Sequence, residues 1–344
     1  MSANCARILD HLPKGARLFA VVKAQGYGHG AVPVAHAALD GGATGLAVST
    51  LEEAAALGDL VGPRDVRVMG GLLPSQAAAA AAGGWAISVS SGEMATALAG
   101  SGGSVPVHLK IDSGMGRYGC APEDAAGLAR LIQGSKGLRL AGTWTHFASA
   151  EADEALTRAQ FARFTEALGS LDVDPGLRHA CNSAASRRHP DFALDAVRCG
   201  IAIYGCEWPG TAPALTLSSA VTHVKTVAKG ATAGYGATWT APGTRRVATV
   251  AIGYADGVHR ARSNKGDVLV RGRRAPLIGV VSMDAITLDV TGVPGVQVGD
   301  VATLIGEDGD ERITAEEVGA WSGTISYEVL TSIGPRVERI HAGP

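Results

Sequence analysis

The sequence predicts the α/β fold class: a (β/α)8 TIM-type barrel followed by a mainly β C-terminal domain. Up to about Gly205, short apolar runs alternate with alanine-rich helical patterns, and eight such units in about 200 residues are typical of this barrel. From Thr211 the runs become β-branched and partly alternating, with Gly-, Pro- and Asp-containing turns between them. We therefore predict domains at residues 1–208 and 209–344. A doubly wound open sheet is the alternative, but no GxGxxG turn follows the first strand.

The predicted barrel strands are Leu18–Val22, Gly45–Ser49, Val66–Gly70, Ala86–Val89, Val105–Ile111, Leu138–His146, Leu177–Ala180 and Ala196–Ile203. Helices are predicted between them, among others at Thr50–Leu60, Ala121–Ile132 and Glu151–Leu168. The predicted strands of the second domain are Leu217–Val227, Arg246–Ile252, Asp267–Val270, Ala275–Val281, Ala285–Val290 and Val301–Ile305. The domain boundary is expected within Tyr204–Leu215, which contains prolines and glycines.

Composition narrows the function classes. Of the 344 residues 18% are charged, and the formal net charge is −2, which gives no reason to expect nucleic-acid or membrane-surface binding. No apolar run approaches the length of a membrane span, and Met1–Ile8 lacks the features of a signal peptide. The five cysteines form no CxxC pair, which argues against disulfides and a metal site and favours a cytoplasmic location.

Lys23 is the first candidate for chemistry. It ends the apolar run Leu18–Val22 and is followed by a loop with three glycines. Burial disfavours an ammonium, so a lysine here can become a neutral amine nucleophile. The glycines allow a sharp turn and close approach to a ligand. This pattern suggests a Schiff base with an aldehyde cofactor. Without support from the rest of the chain, a solvated lysine at the end of a strand would be the commoner interpretation.

Further polar side chains follow the ends of other predicted strands. In a (β/α)8 barrel, chemistry is located at the carboxyl ends of the strands. The side chains at or just after these ends are Lys23, Lys110, His146, Asn182 and Arg198. We therefore expect them to lie around one active site.

Eight motifs resemble those of the alanine racemase family, which is fold-type III and depends on pyridoxal 5'-phosphate. In chain order, they are Val21–Gly30, His108–Arg117, Thr145–Ala148, Cys181–Ala185, Val197–Ile201, Gly253–Gly257, Val281–Asp284 and Ser326–Glu328. Eight matches in family order across both halves are highly specific. The family has the barrel and β-domain architecture predicted above.

The resemblance implies a two-base mechanism. Lys23 would bind the cofactor covalently and, once freed, act as the base on one face of the substrate. Tyr254, supplied by the partner subunit of a head-to-tail homodimer with shared active sites, would act on the other face. A tyrosine ordinarily titrates near pH 10, and His146 is implied as its hydrogen-bonding neighbour. Arg198 would face the pyridine nitrogen and keep it unprotonated.

The resemblance also assigns the binding residues. The implied cofactor-binding residues are Lys23, Tyr27, Asn182, Ser183, Arg198, Gly200, Ile201 and Tyr327. The implied substrate-binding residues are Arg117, Met283 and Asp284. Lys110 is implied as a carbamylated lysine that orients Arg117. No metal and no nucleic-acid or membrane partner is implied.

The activity implied is interconversion of L-alanine and D-alanine, which supplies D-alanine for peptidoglycan in the cytoplasm. Tyr254 and Tyr327 would leave little space beyond a methyl group. Alternatives are a racemase of serine or another small amino acid, because a pocket discriminates one methylene or hydroxyl weakly, or a non-catalytic pyridoxal-phosphate carrier. A decarboxylase is disfavoured because no cysteine lies beyond residue 206.

Four positions depart from the family pattern. Gln25-Gly26 replaces the usual Asn-Ala, Val280 replaces an arginine and Glu151 replaces an aspartate. Members also usually carry a strand before the asparagine matched by Asn4, and lack of it predicts an exposed sheet edge. We expect Gln25-Gly26 to tune the site without loss of function, and Val280 and Glu151 to alter the substrate entryway. Loss of the strand would lower stability.

Overall fold

The computed structural model describes residues 1–60, 62 and 65–342. Their contacts divide the chain into two compact units, Met1–Ala212 and the part that begins at Pro213. Within the described residues, no helix has the length and apolar character needed to cross a bilayer.

The first unit is a closed barrel of eight parallel strands in chain order, which confirms the predicted fold. The strands are β1 (Arg17–Val21), β2 (Gly45–Val48), β3 (Val66–Val68), β4 (Ala86–Val89), β5 (Val105–Lys110), β6 (Leu138–Trp144), β7 (Leu177–His179) and β8 (Ala196–Cys199). The barrel closes because β1 pairs with both neighbours, with Phe19 opposite Gly45 on one side and opposite Arg198 on the other. Strands covered on both faces are almost continuously apolar, which explains why their runs were visible in the sequence.

One helix precedes β1, and at least one helix follows each of the strands β1 to β7. They are α1 (Ser2–His11), α2 (Lys23–Tyr27), α3 (Ala31–Asp40), α4 (Leu51–Ala56), α5 (Ala77–Gly83), α6 (Gly92–Gly100), α7 (Ala125–Gly134), α8 (Glu154–Gly169) and α9 (Ser183–Arg188). The helix predicted at Thr50–Leu60 is α4 plus the 3-10 turn Gly58–Leu60, with Thr50 and Glu53 forming a capping box. The helix predicted from Glu151 begins at Glu154, because Asp153 accepts a hydrogen bond from the Leu156 N–H as its N-cap.

The eighth predicted strand was too long. The prediction extended it to Ile203, but β8 ends at Cys199 and Ile201–Tyr204 forms a 3-10 turn. The backbone turns because the N–H groups of Gly200 and Ala202 are directed to the Ser183 hydroxyl, at 3.0 and 3.5 Å, instead of to a neighbouring strand. An apolar composition cannot distinguish these two outcomes, since the residues are buried in both.

The second unit is built mainly from antiparallel strands, as predicted. Its strands are β9 (Leu217–Val227), β10 (Thr232–Ala233), β11 (Trp239–Thr240), β12 (Arg245–Val250), β13 (Asp267–Val270), β14 (Arg273–Ile278), β15 (Ile286–Asp289), β16 (Val301–Asp308) and β17 (Glu311–Ile313). Seven of them form a sheet in the order β13-β14-β15-β12-β9-β16-β17, and β13 also pairs with β16, so the sheet curls back on itself.

The prediction missed the short strands β10, β11 and β17 and two helices near the C-terminus. These helices are α10 (Ala315–Ser322) and α11 (Ser326–Thr331). A signal for α10 was present, because Thr314 and Glu317 have the spacing of a capping box and form one in the structure.

Candidate active site

The candidate site of the barrel lies at the carboxyl ends of its strands. Lys23 follows β1, Lys110 ends β5, His146 follows β6 and Arg198 lies in β8. A parallel barrel brings these ends to one face. Lys23, Lys110 and Arg198 lie close enough to His146 for their charges to lower its pKa. The structure therefore brings these strand-end residues together, and their roles stay predictions.

Lys23 begins α2, which is not an ordinary helix. Ala24, Gln25, Gly26 and Tyr27 have φ values of 50°, 54°, 59° and 51°, so this turn is left-handed. Such a conformation costs a non-glycine residue about 1–2 kcal/mol. Burial is the main cause that lowers the pKa of Lys23; the nearby Arg117 charge lowers it further, and Glu53 opposes both. Lys23 is thus biased toward the neutral amine that a nucleophile or base requires.

Lys110 is a buried cation with aromatic neighbours. Only 4% of it is exposed, and its Nζ lies 4.2 Å from the ring centre of Trp144 and 5.2 Å from that of Tyr118. Burial, and then the charges of Arg198 and Arg117, lower the pKa of Lys110 to about 8. A minor fraction of this lysine is therefore neutral near pH 7.

Arg198 is buried and held by several acceptors. Nη1 donates to His179 Nδ1 at 2.8 Å and to the His179 carbonyl at 3.1 Å. Nη2 donates to the carbonyls of Thr145 and Ala180 at 2.7 and 2.9 Å. Within the described part of the chain, its Nε–H has no such partner. Arg198 therefore retains one donor for a ligand.

His146 is held as a neutral imidazole. Burial, followed by the charge of Arg198, lowers its pKa well below the ordinary value, and three further cations contribute. Arg198 Nη2 lies 3.3 Å from His146 Nδ1. A guanidinium has only N–H groups to present, so we assign the lone pair of His146 to Nδ1, beside Arg198, and the proton to Nε2. His146 can therefore donate a hydrogen bond from Nε2.

Two further histidines, His108 and His179, extend from Arg198 into the barrel and were not among the predicted site residues. His179 Nδ1 accepts from Arg198, so its Nε2 donates to His108 Nδ1 at 2.9 Å. Burial lowers the pKa of His108 to about 3 and that of His179 well below its ordinary value. His108 lay within a recognised motif, but its pairing with His179 required the pairing of β5, β6 and β7.

A cradle for an anion surrounds the end of β8. Ser183 Oγ accepts the Gly200 N–H at 3.0 Å, and a Cβ placed on Gly200 would lie 2.5 Å from Tyr27 Oη. Tyr27, Ser183, Gly200 and Ile201 are therefore brought together, and the absent side chain of Gly200 permits this approach. Asn182 has a structural task as the N-cap of α9, where it accepts the Ala185 N–H at 2.9 Å.

The loop that carries Arg117 is organised by Asp112. Its carboxylate accepts the N–H groups of Gly114, Met115 and Gly116 at 2.9, 2.7 and 2.9 Å. Arg117 itself is exposed. No carboxylate forms an ion pair with Lys23, Lys110, Arg117 or Arg198 in the described ranges 1–60, 62 and 65–342. Glu53 and Asp112 act on Lys23 and Lys110 only from a greater distance.

The remaining predicted residues belong to the second unit. Tyr254 begins a 3-10 turn and is 43% exposed, and its N–H donates to the Ser282 carbonyl at 3.0 Å. Met283 is adjacent because its carbonyl accepts the Ala255 N–H at 3.0 Å. Asp284 accepts from Arg336 at 2.7 Å. Tyr327 lies in α11. Tyr254, Met283 and Asp284 thus share one local surface.

Comparisons with known proteins cover both units. A family model described as "Alanine racemase, N-terminal domain" matches residues 1–207, and one described as "Alanine racemase, C-terminal domain" matches residues 214–341. An alanine racemase of Symbiobacterium thermophilum is 41% identical over 352 residues, which cover 98% of this chain and 93% of that protein.

Solved structures agree with these matches. The alanine racemase of the D-cycloserine-producing Streptomyces lavendulae has a TM-score of 0.93 and 34% identity, covering 100% of this chain and 94% of that one. A histidine racemase of Leuconostoc mesenteroides has a TM-score of 0.89 and 29% identity, covering 99% of this chain and 95% of that one. The fold is therefore shared by racemases whose names give different substrates.

Proposed function

The chain belongs to the alanine racemase family, and from that premise we propose that it is a pyridoxal-phosphate-dependent isomerase that interconverts L-alanine and D-alanine. The observation that carries the proposal is the group of cations around Lys23 at the barrel mouth. Arg117, Lys110 and Arg198 all act on Lys23 or its neighbours, and no carboxylate ion pair compensates them among the described residues. Such a site favours an anionic cofactor and an amino-acid carboxylate.

The residues present fit pyridoxal phosphate. The hydroxyls of Tyr27 and Ser183 and the N–H of Ile201 would form a cradle suited to a phosphate, and Gly200, which has no side chain, permits close approach. Lys23 would bind the aldehyde, and the spare Nε–H of Arg198 would face the pyridine nitrogen. Asn182 would contribute by fixing the start of α9, and Tyr327 would add a hydroxyl to the phosphate.

The chemistry divides between this cofactor and the chain. Pyridoxal phosphate, when bound, supplies an electron sink for the pair left as the α-proton departs. The Lys23 amine would take or return that proton on one face, and the Tyr254 hydroxyl on the other. His146 Nε2–H would hydrogen-bond the Tyr254 oxygen and stabilise its deprotonated form. Arg198 can only donate, so it would keep the ring nitrogen unprotonated and limit side reactions.

Substrate contacts would be made by Arg117, Met283 and Asp284. The Arg117 guanidinium suits the α-carboxylate, and the exposed Met283 and its backbone would line the opposite side. Alanine is the preferred substrate in this proposal, with serine or another small amino acid as the alternative. The fold shared with a histidine racemase makes a broad substrate panel necessary.

The first experiment combines spectrum and turnover. The purified protein should absorb light as a lysine-bound cofactor does, and it should racemise L-alanine. Racemisation would be measured by optical rotation with alanine, serine and histidine as substrates. Lys23→Ala should lose both signals, while Lys229→Ala, at an exposed position, should keep both. Absorption without racemisation would instead favour a cofactor carrier, and rapid turnover of another amino acid would replace alanine in the proposal.

We further propose a head-to-tail homodimer in which Tyr254 enters the partner's site. Mixing tests this directly. Lys23→Ala and Tyr254→Phe are each expected to be inactive, but a mixed dimer would contain one site with both native residues. Recovered activity after co-refolding would support the shared site. Persistent inactivity despite formation of mixed dimers would place both bases on one chain.

Carbamylation of Lys110 is a separate proposal. The reaction needs a neutral amine, and the lowered pKa of about 8 supplies one. A carbamate would introduce an anion among Arg117, Arg198 and Lys23, where the Asp112 oxygens already accept backbone donors. Protein supplied with ¹³C-bicarbonate should give a carbamate resonance that is lost in Lys110→Ala. A plain lysine at high occupancy in a density map would refute it.

The biological role follows from the activity. We propose that the enzyme acts in the cytoplasm and supplies D-alanine for peptidoglycan. The five free, buried cysteines are consistent with a reducing compartment. Deletion of the coding sequence should cause a requirement for D-alanine, and growth without D-alanine would contradict this role.

A further inference from the structure

The left-handed turn after Lys23 needs support along its whole length. Five successive residues have positive φ, from Ala24 at 50° to Gly28 at 83°. Only two of the five are glycines, so the turn is strained at Ala24, Gln25 and Tyr27. Strain of this kind persists where surrounding contacts overdetermine the backbone, and it is concentrated at functional sites.

Most of the turn is held by its own carbonyls and by packing. Gly28 donates to the Ala24 carbonyl at 3.0 Å, and Gly30 donates to the Gln25 carbonyl at 2.7 Å. The Tyr27 ring stacks on Tyr204 with centroids 4.8 Å apart. These contacts fix the distal part of the turn. They leave the N–H of Ala24, directly after Lys23, to be satisfied by another group.

Glu53 is that group. Its Oε1 accepts the Ala24 N–H at 2.7 Å. Its Oε2 accepts the Ser49 and Thr50 N–H groups at 2.7 and 3.2 Å. One carboxylate thus joins the Lys23 turn to the end of β2 and the start of α4. Its negative charge also raises the pKa of Lys23, against burial and the charge of Arg117, which lower that pKa.

We propose that Glu53 is a positioning residue for racemisation, which fixes the direction of the Lys23 amine through the Ala24 N–H and supplies the negative charge facing it. This inference rests on the proposed role of Lys23. The first effect depends on how far the carboxylate oxygens reach toward the Ala24 N–H. The second depends only on the negative charge of Glu53. The two can therefore be separated by substitution.

Glu53→Gln removes the charge, while glutamine can still occupy this position of the capping box. One acceptor oxygen cannot serve three N–H groups, so the turn loosens as well. We expect kcat for alanine to fall about 10- to 100-fold, because small misplacement of a catalytic group has such effects, while KM changes less than threefold. Glu52→Gln is the matched control, since Glu52 is the adjacent exposed acid of the same helix turn.

A second readout does not depend on turnover. The neutral Lys23 amine condenses with the aldehyde of pyridoxal phosphate added to apo-protein, forming the C=N bond and releasing one water. The rate of this absorbance change should rise with pH as the amine loses its proton. In Glu53→Gln the midpoint should move about one pH unit lower, because an opposing charge has been removed. A merely structural role would leave this midpoint unchanged.

If Glu53→Gln does not fold, Glu53→Asp can be used to test the proposal. Aspartate keeps the charge but withdraws the oxygens by one methylene, so kcat should fall while the midpoint stays near that of the native protein. Native kcat and midpoint in Glu53→Gln, or native kcat in Glu53→Asp, would overturn the proposal. A native protein that never binds pyridoxal phosphate at Lys23 would instead overturn the proposed function.

Discussion

The two groups of candidate residues are built differently. In the barrel, Arg198 and Lys110 are 2% and 4% exposed, and Arg198 has hydrogen bonds to several strands' ends. In the second unit, Tyr254 and Met283 are 43% and 51% exposed and depend on turn contacts. The barrel group is therefore part of the core that stabilises the fold, whereas the second group is presented on a surface. Substitutions in the barrel group should therefore lower both activity and stability. Substitutions in the second group should lower activity alone.

The largest effect is expected for Arg198→Leu. The carbonyls of Thr145, Ala180 and His179 would each lose a donor, at a cost of about 1 kcal/mol or more apiece. The free energy of unfolding in urea should fall by about 3 kcal/mol, and racemisation should be lost. Arg130→Ala, at an exposed ion pair, should change stability by less than about 1 kcal/mol. Equal stability of the two variants would break the comparison.

Tyr254→Phe should lower racemisation activity but leave the free energy of unfolding nearly unchanged. Loss of an acid–base group lowers racemisation about 10²- to 10⁴-fold, while the exposed ring leaves the free energy of unfolding within about 0.5 kcal/mol. In heavy water one enantiomer should still exchange its α-hydrogen through Lys23 without inversion. Tyr235→Phe, at a 72% exposed position of the same unit, is the control and should be native in both assays. Native racemisation in Tyr254→Phe would refute its role as a base.

The buried histidines should make the barrel sensitive to acid. The pKa of His108 is about 3, below its ordinary value of 6.5, so the unfolded chain binds this proton first as pH falls. Stability is fully present above about pH 6.5 and is lost toward pH 3, by about 1.4 kcal/mol per pH unit for this histidine. His108→Gln should reduce the slope of unfolding free energy between about pH 6 and 5 by that amount. His223→Gln, at an exposed site, should leave it unchanged.

The smallest effect is expected for Arg336→Gln. Arg336 bridges Asp256 at 3.0 Å and Asp284 at 2.7 Å, and thereby supports the turn that begins with Tyr254. Its own side chain is 53% exposed, so solvent screens the ion pairs and kcat/KM should decrease by no more than about threefold. Arg312→Gln removes another exposed pair away from this turn. Indistinguishable kinetics for the two variants would remove Arg336 from the description of this surface.

Prediction from sequence was most successful where one physical constraint dominates. The bounds of Ala86–Val89, Leu217–Val227 and Asp267–Val270 were predicted to the residue. The first and third are mostly buried apolar runs, whereas the second is mostly exposed and is marked by its β-branched residues. Prediction failed where a backbone group has an alternative partner, as at Ile201–Ile203, whose turn depends on the distant Ser183 hydroxyl. The two-residue strands β10 and β11 carry too few residues for any periodicity.

For the site, the sequence alone determined which residue types follow the barrel strands, and hence the cluster of Lys23, Lys110, His146 and Arg198. This was possible because parallel barrel strands end on one face. Only the tertiary structure decided the tautomer of His146, the buried pair His108–His179 and the link from Glu53 to the Lys23 turn. Each depends on atoms that are distant in the chain but within 3.5 Å in space, and hydrogen-bond direction and desolvation act over that distance, not along the sequence.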